Sequence, residues 1–270
     1  MVDIAAVEAA TTAPAPRRDV KVPYALITLV GLLLVWELAA RIFGLPAYIL
    51  PSPSAIFAQL AIDWRMLAPH TGITVFEVLA GFLLSVLIGV PIAIGITYSR
   101  AFDEAVYPLI VGSQTVPKVA LAPLLLAWFG YGMMPKVLIV FLVAFFPIVI
   151  NSVVGLRSAP PQMIHLAKSM GASAAQVFWR FRLPQALPSI FAGMKLAIVL
   201  AVIGAIVAEF VGADSGLGYI IMIAGANFQI ARQFGAIIAL TIVGMLLFWA
   251  MTYIERRSLP WHISVRALQK

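Results

Sequence analysis

RSAPPQMIHLAKSMGASAAQVFWRFRLPQALP, residues 157–188, is a basic segment set between two apolar runs of membrane-spanning length. Pro160 and Pro161 suit the first turn of a helix, where a missing N–H costs nothing. Met163 to Met170 is long enough for two turns, with Ile164, Ala167 and Met170 near one face. Gly171 is a natural helix stop, and Ser173 is placed to cap a second helix from Ala174 to about Phe181. That helix shows Val177, Phe178 and Phe181, and Leu183-Pro184 is expected to end it. Short amphipathic helices of this kind either dock in a partner's groove or lie on a membrane surface. Lys168, Arg180 and Arg182 are compatible with both.

The rest of the chain is far more apolar. Of 270 residues, 63% are hydrophobic and 11% charged, against about 25% charged in soluble domains. A span needs roughly 20 apolar residues, and six stretches qualify, near 23–43, 71–97, 105–129, 136–156, 189–211 and 234–254. Runs of this length indicate helices, not the alternating ten-residue segments of a β-barrel. The expected fold class is an all-α membrane protein with six transmembrane helices. The chain has no cysteine, which excludes disulfides and thiolate chemistry.

The net charge of +7 is a matter of topology. Arg17, Arg18 and Lys21 precede the first span, Arg100 follows the second, and Arg157, Lys168, Arg180, Arg182 and Lys195 lie in or beside the 157–188 loop. Arg256, Arg257, Arg266 and Lys270 follow the sixth. These thirteen face only Arg41, Arg65, Lys136 and Arg232 in the alternate connections. The positive-inside rule then places the loop and both termini in the cytoplasm, and the distribution speaks against nucleic-acid binding. Residues 1–22, rich in Ala, Pro and Thr, read as a flexible cytoplasmic tail. Residues 23–256 form the transmembrane domain, and 257–270 a second tail. The Arg17-Arg18 pair superficially resembles a secretion signal, but an uncleaved first helix fits the length better.

Several features inside the spans stand out. After the first span, Pro46, Pro51 and Pro53 stop the helix, and Ser54 is placed to cap a short amphipathic helix from about Ala55 to Ile62, either a plain extracellular connector or a gating or docking element. Gly81, Ser85, Gly89 and Ala93, and again Gly193, Ala197, Ala201 and Ala205, repeat at four-residue spacing. Such stripes let helices approach closely in lipid, within a bundle or at a subunit interface. The third span places Ser113, Gln114, Thr115 and Lys118 among Pro108, Pro117 and Pro123. Irregular polar backbone at membrane depth is tolerated only in protein or along a cavity, so these residues are candidates for a translocation path. A kinked helix with self-satisfied polar groups is the plain alternative. Glu37, Glu77 and Glu209 also fall within spans, where carboxylates are functional candidates. Glu77 and Glu209 lie near the outer span ends, within expected reach of water or of pairing with Lys118. Glu209 joins the candidate path. Gly212, Gly216 and Gly218 indicate a tight external or re-entrant turn.

No G-x-x-x-x-G-K-[ST] phosphate loop occurs. His70, His165 and His262 lack metal-ligand spacing. No nucleophilic triad is assembled, so the chain does not read as an enzyme.

HLAKSMGASAAQVFWRFRLPQALP resembles the "EAA" loop of ABC-importer permeases: E-A-A, three residues to G, then a spacer to L-P. Ala167, Gly171, Leu183 and Pro184 occupy matching positions. His165 stands at the glutamate position and Leu166 at the first alanine. SQTVPKVALAPLLLAWFGYG (113–132), AEFVGADSGLGYII (208–221) and ERRSLPW (255–261) are similar to stretches of the nitrate/sulfonate/taurine branch. The likeness runs from about Trp36 to Trp261. It implies a type I, MetI-like permease fold in the bacterial inner membrane, a second permease copy (a homodimer), a cytoplasmic ATPase dimer that binds ATP and Mg, and a periplasmic or lipid-anchored solute-binding protein. No cofactor is implied for this chain itself. It also implies an ATPase-coupling loop, for which the residues are His165, Ala167, Lys168, Met170, Gly171, Ala172, Ser173, Leu183 and Pro184. The expected cargo is a sulfonate, nitrate, taurine or aromatic acid, or alternatively a pyrimidine or flavin precursor. An ATPase-independent transporter or channel and a purely structural membrane protein remain as rival classes.

Overall fold

The computed structural model describes residues 24–44 and 46–260. The tail 1–22 and residues 261–270 of the C-terminal tail lie outside them. Every regular element among the described residues is helical. The first, α1 (Tyr24–Ile42), belongs to a unit of its own. Its Glu37 pairs with Arg41 one turn on, at 2.6 Å.

The second unit begins with α2 (Pro53–Tyr98), a single helix of 46 residues. The short helix 55–62 and the span 71–97 are therefore one element. Pro69, which lies between the two stretches, sits inside the helix, where a proline removes one ladder bond without ending the whole. Ser52, not Ser54, is the N-cap: its hydroxyl accepts from the Ala55 N–H, with Pro53 in the first turn.

The third span is broken. Helix α3 (Arg100–Gly112) runs into a 3-10 turn, Ser113–Thr115. After Val116 and Pro117, a second 3-10 turn (Lys118–Leu121) leads into α4 (Ala122–Phe129). The two halves meet at 88°. Pro117 lacks the N–H that would carry the ladder across, and the residue before it is pushed out of helical geometry. Val116 accordingly has φ −69°, ψ 126°.

Helix α5 (Met133–Arg157) is the centre of the unit. It packs on α2 and on the long helix α8 (Leu183–Gly212). Both small-residue stripes are buried, and both face α5. A Cβ on Gly81 would lie 2.5 Å from Val140, and one on Gly193 would lie 2.7 Å from Asn151 Cβ. Gly155 of α5 returns the relation, at 2.8 Å from the Ala186 carbonyl. Ser85 adds a hydrogen bond across the same contact, to the Phe141 carbonyl at 3.1 Å. The stripes are thus used within one chain. Val78, Val140, Ala144, Ile148, Ala197 and Ala201 fill the space between them.

Between α5 and α8 lie α6 (Pro161–Ser169) and α7 (Ala174–Val177). Leu183-Pro184 does not end α7. The chain passes through a π-helical turn, Phe178–Arg182, and continues as α8. The Leu183 N–H donates to the Phe178 carbonyl, five residues back. Pro184 thus falls where the ladder is already changing register. After α8, a turn at Ala213–Gly216 leads to the short apolar α9 (Leu217–Ala226), absent from the sequence expectation, and then to α10 (Ile230–Ser258). Helix α10 packs on α2, α8 and α9. Arg232 grips Asp63 of α2 through two hydrogen bonds, at 2.7 and 3.2 Å. Lys195 holds Glu255 at 2.7 Å. Among the described residues, five helices are long and apolar enough to span a membrane, six if the bent pair counts as one.

Candidate functional site

The loop between α5 and α8 is built by two local devices. At the end of α6 the Ala172 N–H bonds to the Ala167 carbonyl at 3.0 Å, and the Gly171 N–H to the Lys168 carbonyl at 2.9 Å. This is the paired pattern of a Schellman stop. It requires a left-handed residue, and Gly171 has φ +83°. Two residues on, Ser173 and Gln176 form a capping box: the hydroxyl accepts from the Gln176 N–H, and the Gln176 side chain accepts from the Ser173 N–H. The two helices are therefore joined by a turn with little freedom.

Their faces differ from the sequence expectation. Ala167 and Val177 point inward and are buried, and Phe178 packs on the core beside α8. The residues presented outward are Met163, Leu166 and Met170, at 46, 64 and 79% exposure, with Trp179 beyond them. Spacing puts Ile164 and Ala167 with Met170 on one face, and shows Val177 and Phe178, because spacing alone does not distinguish the two sides of so short a helix. His165 and Lys168 are exposed along α6. Leu183 and Pro184 are half-buried at the start of α8.

The second group, at the break between α3 and α4, is held by its own backbone. Ser113 Oγ donates to the Ile110 carbonyl and Thr115 Oγ1 to the Gly112 carbonyl, both at 2.8 Å. Lys118 Nζ donates to the Gln114 carbonyl at 3.2 Å and lies 4.4 Å above the Phe146 ring. Ser113, Gln114, Thr115 and Lys118 thus come together at one bend, with Gln114 and Thr115 exposed.

Glu209 sits elsewhere. It and Glu77 are fully buried, so the expected access to water does not exist in this chain. Neither pairs with Lys118; the buried Lys136 takes Glu77 at 2.9 Å. Glu209 accepts from Thr74 Oγ1 at 2.6 Å and from the Gly218 N–H. Thr74 in turn accepts from the Leu217 N–H at 2.9 Å, and His70 Nδ1 accepts from the Gly216 N–H at 3.0 Å. Helices α2 and α8 therefore close the N-terminal donors of α9, which have no intrahelical partner: Gly216 and Leu217 by His70 and Thr74 of α2, Gly218 by Glu209 of α8. In sequence Thr74 carries no signal of its own, and Glu77 and His70 stand out only singly, as a carboxylate within a span and as a histidine without metal-ligand spacing. Their spacing of four and three was the signal, since it aligns them on one helix face.

The profile of binding-protein-dependent transport system inner membrane components matches residues 81–259. The chain belongs to this family. The permease is 38% identical over 231 residues to the formylaminopyrimidine transport permease protein ThiX of Halalkalibacterium halodurans, covering 85% of this chain and 92% of that one. It is 32% identical over 233 residues to the putative aliphatic sulfonates transport permease protein SsuC of Bacillus subtilis, covering 85 and 84%. A solved structure of the MetNI methionine ABC transporter in an inward-facing conformation shares the fold. Its TM-score is 0.64 at 20% identity, over 72% of this permease and 97% of that chain. The permease is a membrane-embedded translocation subunit of an ABC importer and not an enzyme; its family works with an ATPase and a solute-binding protein.

Proposed function

We propose that the 157–188 loop is where this permease engages its ATPase, with Met163, Leu166 and Met170 entering an apolar groove and Gly171 fixing their angle. The observation that carries this reading is a locked helix pair whose buried side anchors to the permease while its other side exposes three large apolar residues. His165 and Lys168 are exposed on the other side of α6; Ala172, Ser173, Leu183 and Pro184 complete the frame behind it. The loop and both termini are cytoplasmic by the charge bias, in the inner membrane. The permease domain is 23–256, flanked by tails 1–22 and 257–270, and two copies form the pore. ATP and Mg are bound by the ATPase. ATP and the loaded binding protein each favour the outward-facing state, which is the physical basis of coupling.

The path runs along the bend at Ser113, Gln114, Thr115 and Lys118; Glu209, buried elsewhere, supports it by securing α9. Lys118 gives this path a cation suited to a small anion such as a sulfonate, nitrate, taurine or aromatic acid. A pyrimidine or flavin precursor is the second reading, favoured by the 38% identity to a formylaminopyrimidine permease. Ligand retained by the partner binding protein decides between them.

The test of docking is Gly171→Arg. The chain should insert normally, yet lose ATP-driven uptake and retain less ATPase on purification. Normal uptake with an intact complex would refute docking. A tagged wild-type chain that never brings down an ATP-binding subunit would favour an ATPase-independent transporter.

A further inference from the structure

Opposite its exposed apolar face, α6 closes over a cleft of about 340 Å³ against the ends of α2 and α5 and the π-helical turn that leads into α8. Arg157, His165, Lys168 and Arg182 line it, with Thr97 as a neutral polar neighbour. Arg157 already has a partner, Asp103 at 2.6 Å. Arg182 does not: its guanidinium lies 5.1 Å over the Tyr98 ring, and its Nε is buried without a hydrogen-bond acceptor. Between Glu104 and Glu209 the chain contains no acidic residue, so the loop has no carboxylate of its own to place there. A buried guanidinium donor is costly to leave unpaired, and guanidinium groups favour planar or tetrahedral oxyanions through paired N–H bonds.

We infer that this cleft binds a phosphate group. The source is either the headgroup of an anionic lipid, to which basic residues at a cytoplasmic membrane surface are suited, or a free phosphate. The bound anion would join α6 to the end of α5 and to the turn before α8 through charges on each side of the cleft. Its site is on the opposite side of α6 from Met163, Leu166 and Met170, so it does not depend on the docking reading and can fail separately from it.

The full-length permease with its ATPase is purified into nanodiscs of phosphatidylglycerol and phosphatidylcholine, and retained lipid is read by native mass spectrometry. In parallel, its thermal midpoint is followed against inorganic phosphate in phosphatidylcholine alone. The wild type should keep phosphatidylglycerol at least five-fold over the double variant Lys168→Gln, Arg182→Gln if the source is lipid. If the source is soluble, phosphate should raise the midpoint of the wild type and not of the variant. Lys168→Gln alone, at an exposed position, serves if the double variant does not fold. Arg180→Gln, which removes an equal charge outside the cleft, should retain wild-type behaviour in whichever arm responds. Equal effects of Lys168→Gln and Arg180→Gln would overturn the inference, as would no response in either arm. Zero-length carbodiimide cross-linking of Lys168 to an ATPase carboxylate would also overturn it, by showing that the partner fills the cleft.

Discussion

Lys136 Nζ lies 2.9 Å from Glu77 Oε1, and the two side chains are closed to solvent at 4 and 0% exposure. They tie the start of α5 to the middle of α2. A buried pair contributes little over an apolar pair of the same shape, but removing one member strands the other charge, at a cost of about 3–5 kcal/mol. Lys136→Met should therefore lower the thermal midpoint of the purified protein sharply. Lys136→Met combined with Glu77→Leu should recover most of the loss. A single variant with an unchanged midpoint would contradict the pairing.

Gly216 has φ +109°, and a Cβ there would run into the Glu209 carboxylate. Gly216→Ala should combine left-handed strain of about 1–2 kcal/mol with loss of the α9 anchor. The expected result is inserted but less stable protein with transport reduced about ten-fold, read by uptake normalised to membrane content. Wild-type uptake would show that the turn tolerates displacement of Glu209.

Gly81 of the α2 stripe and Gly235 of α10, which belongs to neither stripe, make a paired prediction. Gly81→Ala places a methyl 2.5 Å from Val140 and 2.9 Å from the Val137 carbonyl, and overpacking of this kind costs about 1–3 kcal/mol. Gly235→Ala meets nothing closer than 3.7 Å and should be neutral, or stabilising by up to about 1 kcal/mol from helix propensity. Thermal unfolding of both variants side by side checks the order, and equal midpoints would dispose of it.

On the loop, Leu166→Ser with Met170→Ser changes only the exposed side of α6. ATPase recovered with the tagged permease should fall about ten-fold while the permease's own midpoint stays within a degree or two. Ala167→Glu, on the buried side, should lower the midpoint as well. If the exposed variant retained full ATPase, another surface would have to carry the contact.

Because the natural chain has no cysteine, single cysteines report topology without a background. Ser173→Cys in the loop should react with an impermeant maleimide only from the cytoplasmic side, and Ser215→Cys in the turn before α9 only from outside. Labelling of both from the same side would reverse the orientation drawn from charge.

Much of this architecture was legible in one dimension because it depends on composition and local stereochemistry. Long apolar runs located the spans, and Gly171 and Ser173 announced the turn that joins α6 to α7, since a left-handed stop and a side-chain cap act over a few residues. Pro184 reads as a boundary in sequence, yet the register change at Phe178–Arg182 carries the helix through; the short helix 55–62 and the span 71–97 read as separate elements, yet α2 runs unbroken past Pro69. Lys136 also read as an external charge, because burial with Glu77 depends on contacts 59 residues apart. The short helix α9 was hidden for a similar reason: its anchors, His70 and Thr74, lie on α2.

Helix α2 has a mechanical consequence. At 1.5 Å per residue its 46 residues reach about 69 Å, more than twice the roughly 30 Å of a hydrocarbon core. Asp63, gripped by Arg232, lies near one end, and Thr97 and Tyr98 beside the basic cleft lie at the other. A push on either tip is therefore delivered along one continuous rod, with Pro69 and Pro91 as its only missing ladder donors. Such a rod would report a solute-binding protein's arrival at one membrane face to the opposite face by tilting, without any relay of side-chain rearrangements in between.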